Sequence, residues 1–363
     1  MILTNLNVKN FRNIENLELD LNKNINIFIG NNAQGKTSIL ESIYVLALTK
    51  ASKNLDDIDL IKKNNDFAKI SGTVLKSSYK TKLEIVLTKN KKITKVNNNE
   101  EKKLQNYISN LNVIMFNPED LDIIKKSPIV RRNLINIELC QLFNNYMKVL
   151  NEYNKILKIR NEYLKTDINK IDKNYLAILT ENLVDRALVI MNYRERYILN
   201  INNNIDNIYK KLTKSSGLKI IYEKNIDFAC KENIIKLYDD NFYNEVAKKM
   251  TLFGPHRDDL SFYLEDMDLK LYGSQGQQRL AVLSFKLAEI ALFKEVKKTY
   301  PVILLDDIFS ELDIEKRNNL IKFIKSNIQF VITTTDIKNI SSKILDKASI
   351  FKIKNGNLQK GKR

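Results

Sequence analysis

Residues 24–38 read NINIFIGNNAQGKTS, and this stretch decides the fold. The mostly apolar run Ile25–Ile29 predicts a β-strand, and the amphipathic stretch after Thr37 predicts a helix. Between them stands Gly30-x-x-x-x-Gly35-Lys36-Thr37, the pattern of a phosphate-binding loop. Its glycines let successive N–H groups face phosphate oxygens, and the N-terminus of the following helix adds partial positive charge. We therefore predict a nucleotide site, with a chance glycine-containing turn as the alternative.

Two residues of this loop have side chains whose chemistry assigns them a role. The Lys36 ammonium is expected to reach the β- and γ-phosphates, which makes it a candidate catalytic group. The Thr37 hydroxyl is expected to ligate Mg²⁺, a cation that prefers oxygen ligands.

A phosphate-binding loop needs a carboxylate for the metal, and residues 301–313, PVILLDDIFSELD, supply one. The apolar run Val302–Leu305 predicts a central parallel strand that is buried on both faces. Asp306 and Asp307 follow at its carboxyl end, beside the crevice where such sheets bind ligands. Asp306 is then the outer Mg²⁺ partner, and Asp307 orients or activates water. The alternative is a solvated strand end.

A second glycine-containing stretch, YGSQGQQR, begins at residue 272 and precedes an apolar stripe at helical spacing. Ser274 is a candidate N-cap, and the free N–H groups of the helix start could bind an anion. An ordinary serine cap is the alternative. Residues 329–336, QFVITTTD, predict another apolar strand whose terminal hydroxyls could sense a γ-phosphate.

Composition excludes several classes of protein. The 363 residues include one histidine and two cysteines, too few for a histidine-based hydrolase or a His/Cys metal site. No apolar stretch reaches the roughly 18 residues of a membrane span, and the N-terminus lacks the apolar core of a signal peptide, so we expect a cytoplasmic protein without a membrane partner. The net charge of +17 fits a DNA partner. A lysine-rich solvated surface produced by an AT-rich genome is the alternative.

The middle of the chain reads differently. Residues 69–96 alternate loosely and predict two or three strands. Pro128, at the first helical position after Ser127, opens a helical pattern that runs to Leu157 and beyond. After a polar break, a second helical pattern ends near Leu212, which gives two helices of roughly 30 to 40 residues.

The segment GPHRDDL, which begins at Gly254, admits two interpretations. His256 beside Arg257 and two acids could do acid/base work, or the segment is a structural turn in which Arg257 pairs with a carboxylate. Arg131 and Arg132 likewise form either an ion pair at a helix start or a contact to DNA.

The order GNNAQGKT, GSQGQQR, LLDDIFSELD resembles the ATP-binding-cassette ATPases of the chromosome-maintenance branch. More narrowly, the chain is similar to the RecF family of bacterial recombination mediators, in its opening NVKNFRNI, in FNPEDLDIIKKSPIVRR and in GPHRDDL. The resemblance extends from Asn7 to Asp336. It implies an α/β P-loop head of the cassette type, with mixed sheets and flanking helices, and an inserted α-helical lobe. The expected division is 1–115 and 251–363 for the two parts of the head, with 116–250 as the lobe.

The resemblance also implies which residues bind ATP. Those of the phosphate-binding loop are Gly30, Asn31, Asn32, Ala33, Gln34, Gly35, Lys36, Thr37 and Ser38. Ser274, Gly276 and Gln277 match the signature loop, which contacts ATP held by the other subunit, and Asp313 matches the aspartate of the D-loop at that interface. The implied assembly is a head-to-tail homodimer that forms with ATP. Relatives often carry Glu where Asp307 stands, so weak, DNA-stimulated hydrolysis is expected.

The function that the resemblance implies is a nucleotide-controlled clamp on DNA, in single-stranded, duplex or gapped form. It would act at single-strand gaps with RecR and RecO to load RecA, in recombinational repair, replication and the SOS response. A short SMC-like structural chromosome ATPase is the alternative. A transporter subunit would be expected to carry a Leu-Ser-Gly-Gly-Gln signature and a switch histidine, and a nuclease would need a further acidic cluster.

Overall fold

The computed structural model describes residues 1–52, 55–227, 230–311, 316–317, 319–320, 327–337 and 342–359. The chain forms two compact units, each assembled from separated segments. The first unit, the head unit, contains Met1–Leu121, Ile208–Ser215 and Val282–Arg363. The second, the helical unit, contains Asp122–Asn207 and Ser216–Ala281.

Both units contain strands and helices. The strands are β1 (Ile2–Phe11), β2 (Ile14–Asp20), β3 (Ile25–Ile29), β4 (Phe67–Lys76), β5 (Tyr79–Thr88), β6 (Lys92–Val96), β7 (Asn99–Glu100), β8 (Val113–Phe116), β9 (Leu218–Glu223), β10 (Asp259–Leu264), β11 (Met267–Asp268), β12 (Val302–Asp306), β13 (Phe330–Thr334), β14 (Ala348–Lys354) and β15 (Asn357–Gln359). The α-helices are α1 (Lys36–Leu48), α2 (Leu104–Ile108), α3 (Asp122–Lys125), α4 (Pro128–Leu142), α5 (Asn144–Tyr163), α6 (Lys173–Thr213), α7 (Lys231–Asp240), α8 (Phe242–Lys248), α9 (Gln275–Lys297), α10 (Ile308–Glu311) and α11 (Ser342–Leu345).

The head unit has two six-stranded sheets. One is antiparallel, in the order β2-β1-β4-β5-β6-β7, and it includes the strands predicted within 69–96. The other has the order β15-β14-β3-β13-β12-β8 and is parallel except for β15. Helix α1 contacts strands of both sheets, and its buried residues include Ile39, Leu40 and Ile43. The predicted cassette-type α/β fold with mixed sheets is confirmed.

The parallel sheet determines where the polar strand ends meet. Every residue of β12 and of β13 is buried, as expected for strands covered on both faces. The registers pair Leu305 with Ile332 and Thr333 with Phe28, so β3, β13 and β12 end at the same edge. Gly30, Thr334 and Asp306 therefore lie at one edge of the sheet, where parallel α/β sheets bind their ligands.

The helical unit contains α3, α4, α5, α7, α8, most of α6 and the three-stranded sheet β11-β10-β9. Helix α6 has 41 residues, but the first predicted long helix is interrupted. It is divided at Phe143, whose φ of −135° and ψ of 108° are those of extended backbone. The Phe143 ring packs against Tyr193 at 5.2 Å between centroids, a tertiary contact that apolar spacing does not report. Among the described residues, no helix combines the length and apolar character needed to cross a membrane.

The two units divide the chain differently from the predicted division. Residues 251–281 belong to the helical unit, because β10 pairs with β9, for example Leu260 with Tyr222. Residues 116–121 belong to the head unit, because Phe116 ends β8 and pairs with Leu305 of β12. The predicted division had assigned residues 251–281 to the head and residues 116–121 to the inserted lobe.

Candidate functional site: a phosphate-binding loop and its acidic strand end

The loop between β3 and α1 has the geometry that its glycines predict. Gly35 has a φ of 102°, in the left-handed region that favours glycine, and it precedes the first residue of α1. Gly30 follows β3, and its N–H donates to the Thr334 carbonyl at 3.4 Å. Residues 30–35 thus connect a buried strand to a helix N-terminus, the arrangement that binds phosphate.

Lys36 is held inside this loop. Its Nζ donates to the carbonyl oxygens of Gly30 at 2.6 Å and Asn31 at 2.9 Å, and the residue is 6% exposed. Burial lowers the pKa of Lys36 below its usual value, and the carboxylates of Asp307 and Asp306 act in the opposite direction. The carbonyl groups of the loop therefore hold the ammonium in place beside the phosphates that the loop is expected to bind.

Two hydroxyl groups converge on one carboxylate oxygen at the end of β12. The Thr37 hydroxyl donates to Asp306 Oδ1 at 3.0 Å, and the Thr333 hydroxyl donates to the same oxygen at 2.7 Å. Burial raises the pKa of Asp306, and the hydrogen bonds from Thr333 and Thr37 oppose that shift. A cation beside this oxygen would favour its ionised form.

Asp307 has an unusual backbone conformation. Its φ is 50°, and its N–H donates to Thr333 Oγ1 at 3.0 Å. Thr333 therefore connects Asp306 to Asp307 through one buried hydroxyl. A non-glycine residue in this region of φ is uncommon, and such residues occur in turns and at active sites.

The residues present fit Mg²⁺. Thr37 and Asp306 offer a hydroxyl and a carboxylate at 3.0 Å from each other, and Mg²⁺ is commonly held by one or two such protein oxygens together with phosphates. Among the described residues, no group of three or more His, Cys, Asp or Glu could hold a metal by itself. The hydroxyl of Thr37 and the carboxylate of Asp306 are oxygen donors of the kind that Mg²⁺ takes beside phosphates.

The predicted signature residues lie in the helical unit. Ser274 Oγ accepts from the Gln277 N–H at 3.3 Å, and Gln277 Oε1 accepts from the Ser274 N–H at 2.9 Å, which is a capping box. The predicted serine cap is therefore present. Gly276 has open space around its Cα, with Ser274 Oγ as the nearest atom to an added Cβ at 4.0 Å. Asp313 lies outside the described residues.

The acids of GPHRDDL bind arginines of the helical unit. Asp258 Oδ2 accepts from Arg194 at 2.9 Å and from the Tyr222 hydroxyl. Asp259 receives two hydrogen bonds from Arg131, at 2.6 and 2.9 Å, so Arg131 forms an ion pair. The expected pairing of Arg257 with a carboxylate is wrong: its guanidinium donates to the Thr251 carbonyl, because Arg131 and Arg194 have taken the acids.

His256 is hydrogen-bonded inside the helical unit at both ring nitrogens. Nδ1 lies 2.6 Å from the Tyr153 hydroxyl, and Nε2 lies 3.2 Å from the Thr251 carbonyl. A carbonyl only accepts, so the neutral ring carries its proton on Nε2. Burial lowers the pKa of His256 to about 4. These partners make the histidine a structural residue of the turn.

This pKa predicts how stability depends on pH. Because the folded pKa lies below the unfolded value, His256 adds stability above pH ~6.5 that is lost as the pH falls toward ~4. Between pH 7.5 and 5 the wild-type protein should lose about 2 kcal/mol more unfolding free energy than His256→Asn. Urea denaturation at both pH values measures the difference. NMR of the imidazole, the only one in the chain, should show no titration down to pH ~5; a midpoint near 6.5 would contradict the assignment.

The fold and this loop define a P-loop nucleotide-binding head of the cassette type. The chain belongs to the RecF/RecN/SMC N terminal domain family, whose model matches residues 2–358.

Two similar relatives carry the same name. The chain is 39% identical over 363 residues to the DNA replication and repair protein RecF of Streptococcus agalactiae, covering 99% of this chain and 98% of the relative. It is 40% identical over 363 residues to the protein of the same name from Lactococcus lactis subsp. cremoris, covering all of both chains.

Solved structures agree with this placement. A structure of the recombination mediator protein RecF with ATP, of the RecFOR pathway, aligns with a TM-score of 0.91 and 28% identity over 99% of this chain and 97% of that one. An Smc head bound to the C-winged helix domain of ScpA aligns with a TM-score of 0.55 at 15% identity, over 99% of this chain and 96% of that one, and shares the fold alone. The comparisons thus support the RecF-like interpretation over the short SMC-like alternative.

Two features of the site were not found from the sequence. Thr333 was noted only as part of a polar strand end, whereas its hydroxyl contacts both Asp306 and Asp307. The turn at Asn355 and Gly356 contacts Gln34 of the phosphate-binding loop. The dipeptide Asn-Gly is a strong hairpin signal and could have predicted the turn, although not its neighbour.

Proposed function

We propose that this chain is an ATP-dependent DNA-binding protein of recombinational DNA repair and replication. ATP joins two copies head to tail, and the closed dimer holds DNA at single-strand gaps. Weak, DNA-stimulated hydrolysis reopens it. The relatives named DNA replication and repair protein RecF, and the neighbouring RecF structure with ATP, support this proposal.

The observation that carries the proposal is the contact between Thr37 and Asp306. It brings the phosphate-binding loop to the acidic end of a buried parallel strand at 3.0 Å. In this proposal the loop residues Gly30 to Ser38 bind the triphosphate, and Thr37 and Asp306 hold Mg²⁺. When bound, Mg²⁺ supplies positive charge that neutralises phosphate oxygens. Asp307 orients or activates the attacking water, and Lys36 stabilises charge on the phosphates.

In this proposal the signature residues form the contact through which ATP joins the two copies. Ser274, Gly276 and Gln277 open α9, a helix of 23 residues whose first N–H groups can bind an anion. Exposed glycine at 276 leaves room for a phosphate to approach the backbone. We place these groups on the ATP held by a second copy, with Asp313 at the same interface.

The net charge of +17 supports DNA as the partner. Contacts to phosphates dominate such binding, which makes it sensitive to salt and largely independent of base sequence. The place of the neighbouring structures in the RecFOR pathway supports RecR and RecO as partners. We propose loading of RecA and induction of the SOS response as the outcome. We expect the protein to act in the cytoplasm.

Ser274→Arg should prevent the ATP-dependent dimer. The bulky cation would stand where the serine cap faces the partner's nucleotide, while the phosphate-binding loop of the same chain stays intact. Light scattering with and without Mg-ATP and gapped DNA should give a dimer for the wild-type protein only with ATP, and a monomer for the variant.

Ser78→Arg is the matched control, because Ser78 is also exposed and lies in the β4–β5 turn of the head unit. It should dimerise like the wild-type protein. A wild-type monomer under all conditions would overturn the proposed function, whereas dimerisation of the Ser274 variant would overturn only the assignment of the signature loop.

A further inference from the structure

The phosphate-binding loop packs against the turn of a β-hairpin near the end of the chain. Asn355 and Gly356 connect the paired residues Lys354 and Asn357 of β14 and β15. Their φ angles are 50° and 76°, so both central residues are left-handed, as in the two-residue turns that favour Asn-Gly. The hairpin's own sequence therefore fixes the direction of its turn.

Both N–H groups of this turn donate hydrogen bonds to one residue of the loop. The Asn355 N–H donates to Gln34 Oε1 at 2.7 Å, and the Gly356 N–H donates to the Gln34 carbonyl at 2.9 Å. The side chain and the backbone of Gln34 are thus held together. Gly35, which precedes the helix N-terminus, follows directly.

Three glycines show how closely the phosphate-binding loop, the hairpin turn and the β1–β2 turn approach one another. A Cβ on Gly30 would lie 2.5 Å from the Ile353 carbonyl oxygen, and one on Gly356 would lie 2.5 Å from the Asn13 carbonyl oxygen. A Cβ on Gly35 would lie 3.3 Å from the Gly356 Cα. Because these neighbours are backbone atoms, the loop, the hairpin turn and the β1–β2 turn cannot move independently.

We infer that the Asn355–Gly356 turn is a positioning element for the phosphate-binding loop. It holds Gln34 and Gly35 so that the loop's N–H groups are already arranged when the nucleotide arrives. A loop that must be ordered on binding loses affinity, and a loop ordered beforehand does not. The turn acts through Gln34 and does not touch the nucleotide. This inference rests on the proposed function, because it takes ATP as the ligand of the loop.

Gly356→Ala tests the inference. Alanine is disfavoured at a φ of 76°, and its Cβ would collide with the Asn13 carbonyl, so the turn must leave the position in which it donates to Gln34. Isothermal titration with Mg-ATP should show about tenfold weaker binding, while the hydrolysis rate at saturating ATP stays within about twofold. A purely structural effect would lower thermal stability without this separation of affinity from turnover.

Asn98→Ala is the matched control. Asn97 and Asn98 form a two-residue turn between β6 and β7, with φ angles of 52° and 69°, in the same unit. Asn97 exchanges hydrogen bonds with Lys82 rather than with the loop. The control should bind ATP within about twofold of the wild-type protein.

Gln34→Met provides a second route if Gly356→Ala does not fold. It keeps the side-chain length but removes the oxygen that accepts from Asn355, and ATP binding should weaken by about threefold or more. In the double variant the effects should not add, because both changes break the same contact.

The results of these measurements separate failure of the inference from failure of the proposed function. Gly356→Ala with the ATP affinity of Asn98→Ala, Gln34→Met with wild-type affinity, or fully additive effects in the double variant would each overturn the inference. If the wild-type protein binds ATP, the proposed function survives those results. If the wild-type protein does not bind ATP, both the proposed function and the inference are overturned.

Discussion

Lys36→Met should abolish the ATP-dependent dimer. Nζ sits between two loop carbonyls, where a triphosphate would add charge-assisted hydrogen bonds, each worth about 1.5–3 kcal/mol. Loss of one such bond should weaken ATP binding about 10- to 100-fold. Hydrolysis should fall by roughly two to three orders of magnitude, because charge stabilisation in the transition state is lost as well.

Lys63→Met separates this effect from a change of net charge. Lys63 is exposed in the same unit, and the substitution removes the same charge. The control should bind ATP, dimerise in light scattering and hydrolyse ATP like the wild-type protein. If Lys36→Met dimerises on gapped DNA with ATP as well as the control, the nucleotide-controlled clamp is wrong.

Arg194→Met should strongly destabilise the helical unit. The Arg194 and Asp258 side chains are 3% and 1% exposed and lie 2.9 Å apart. Removing the arginine leaves a buried carboxylate without its cation, which typically costs about 3–5 kcal/mol. This is a large part of the roughly 5–15 kcal/mol that stabilises a typical protein. Urea denaturation, followed by far-UV circular dichroism, measures the loss.

Arg186→Met is the matched control on the same helix. Arg186 is 32% exposed and lies 3.3 Å from Glu152, so its loss should cost no more than about 1 kcal/mol. Adding Asp258→Asn to Arg194→Met should recover part of the stability, because the unpaired charge is removed. Equal losses of unfolding free energy for Arg194→Met and Arg186→Met would show that burial of the Arg194–Asp258 pair does not increase the cost of breaking it.

The sequence predicted several local features of both units well. The strand–loop–helix order around Gly30, the buried strand ending at Asp306 and the serine cap at Ser274 each depend on short-range patterns of apolar, glycine and capping residues. The roles assigned to the site residues stay predictions for the experiments above.

What the sequence missed depends on partners far apart in the chain. Helix α4 ends before Phe143, whose ring packs on Tyr193. Apolar periodicity does not report such a contact. Nor does it show that Arg194 pairs with Asp258, or that Asn355 donates to Gln34. Spacing along a chain reports the face of an element, and tertiary contacts decide which residue that face meets.

The order of the parallel sheet has a consequence for synthesis on the ribosome. Strand β3, which leads into the phosphate-binding loop, lies between β13 and β14 and pairs Ile25 with both Phe330 and Ala348. The nascent chain makes this apolar strand early, and its two neighbours, β13 and β14, follow at Phe330–Thr334 and Ala348–Lys354. Contacts between such distant segments form slowly and leave apolar surface exposed meanwhile. The strand that leads into the phosphate-binding loop therefore stays unpaired on both sides until β13 and β14 have been made, and we expect ATP to stabilise only chains that contain both.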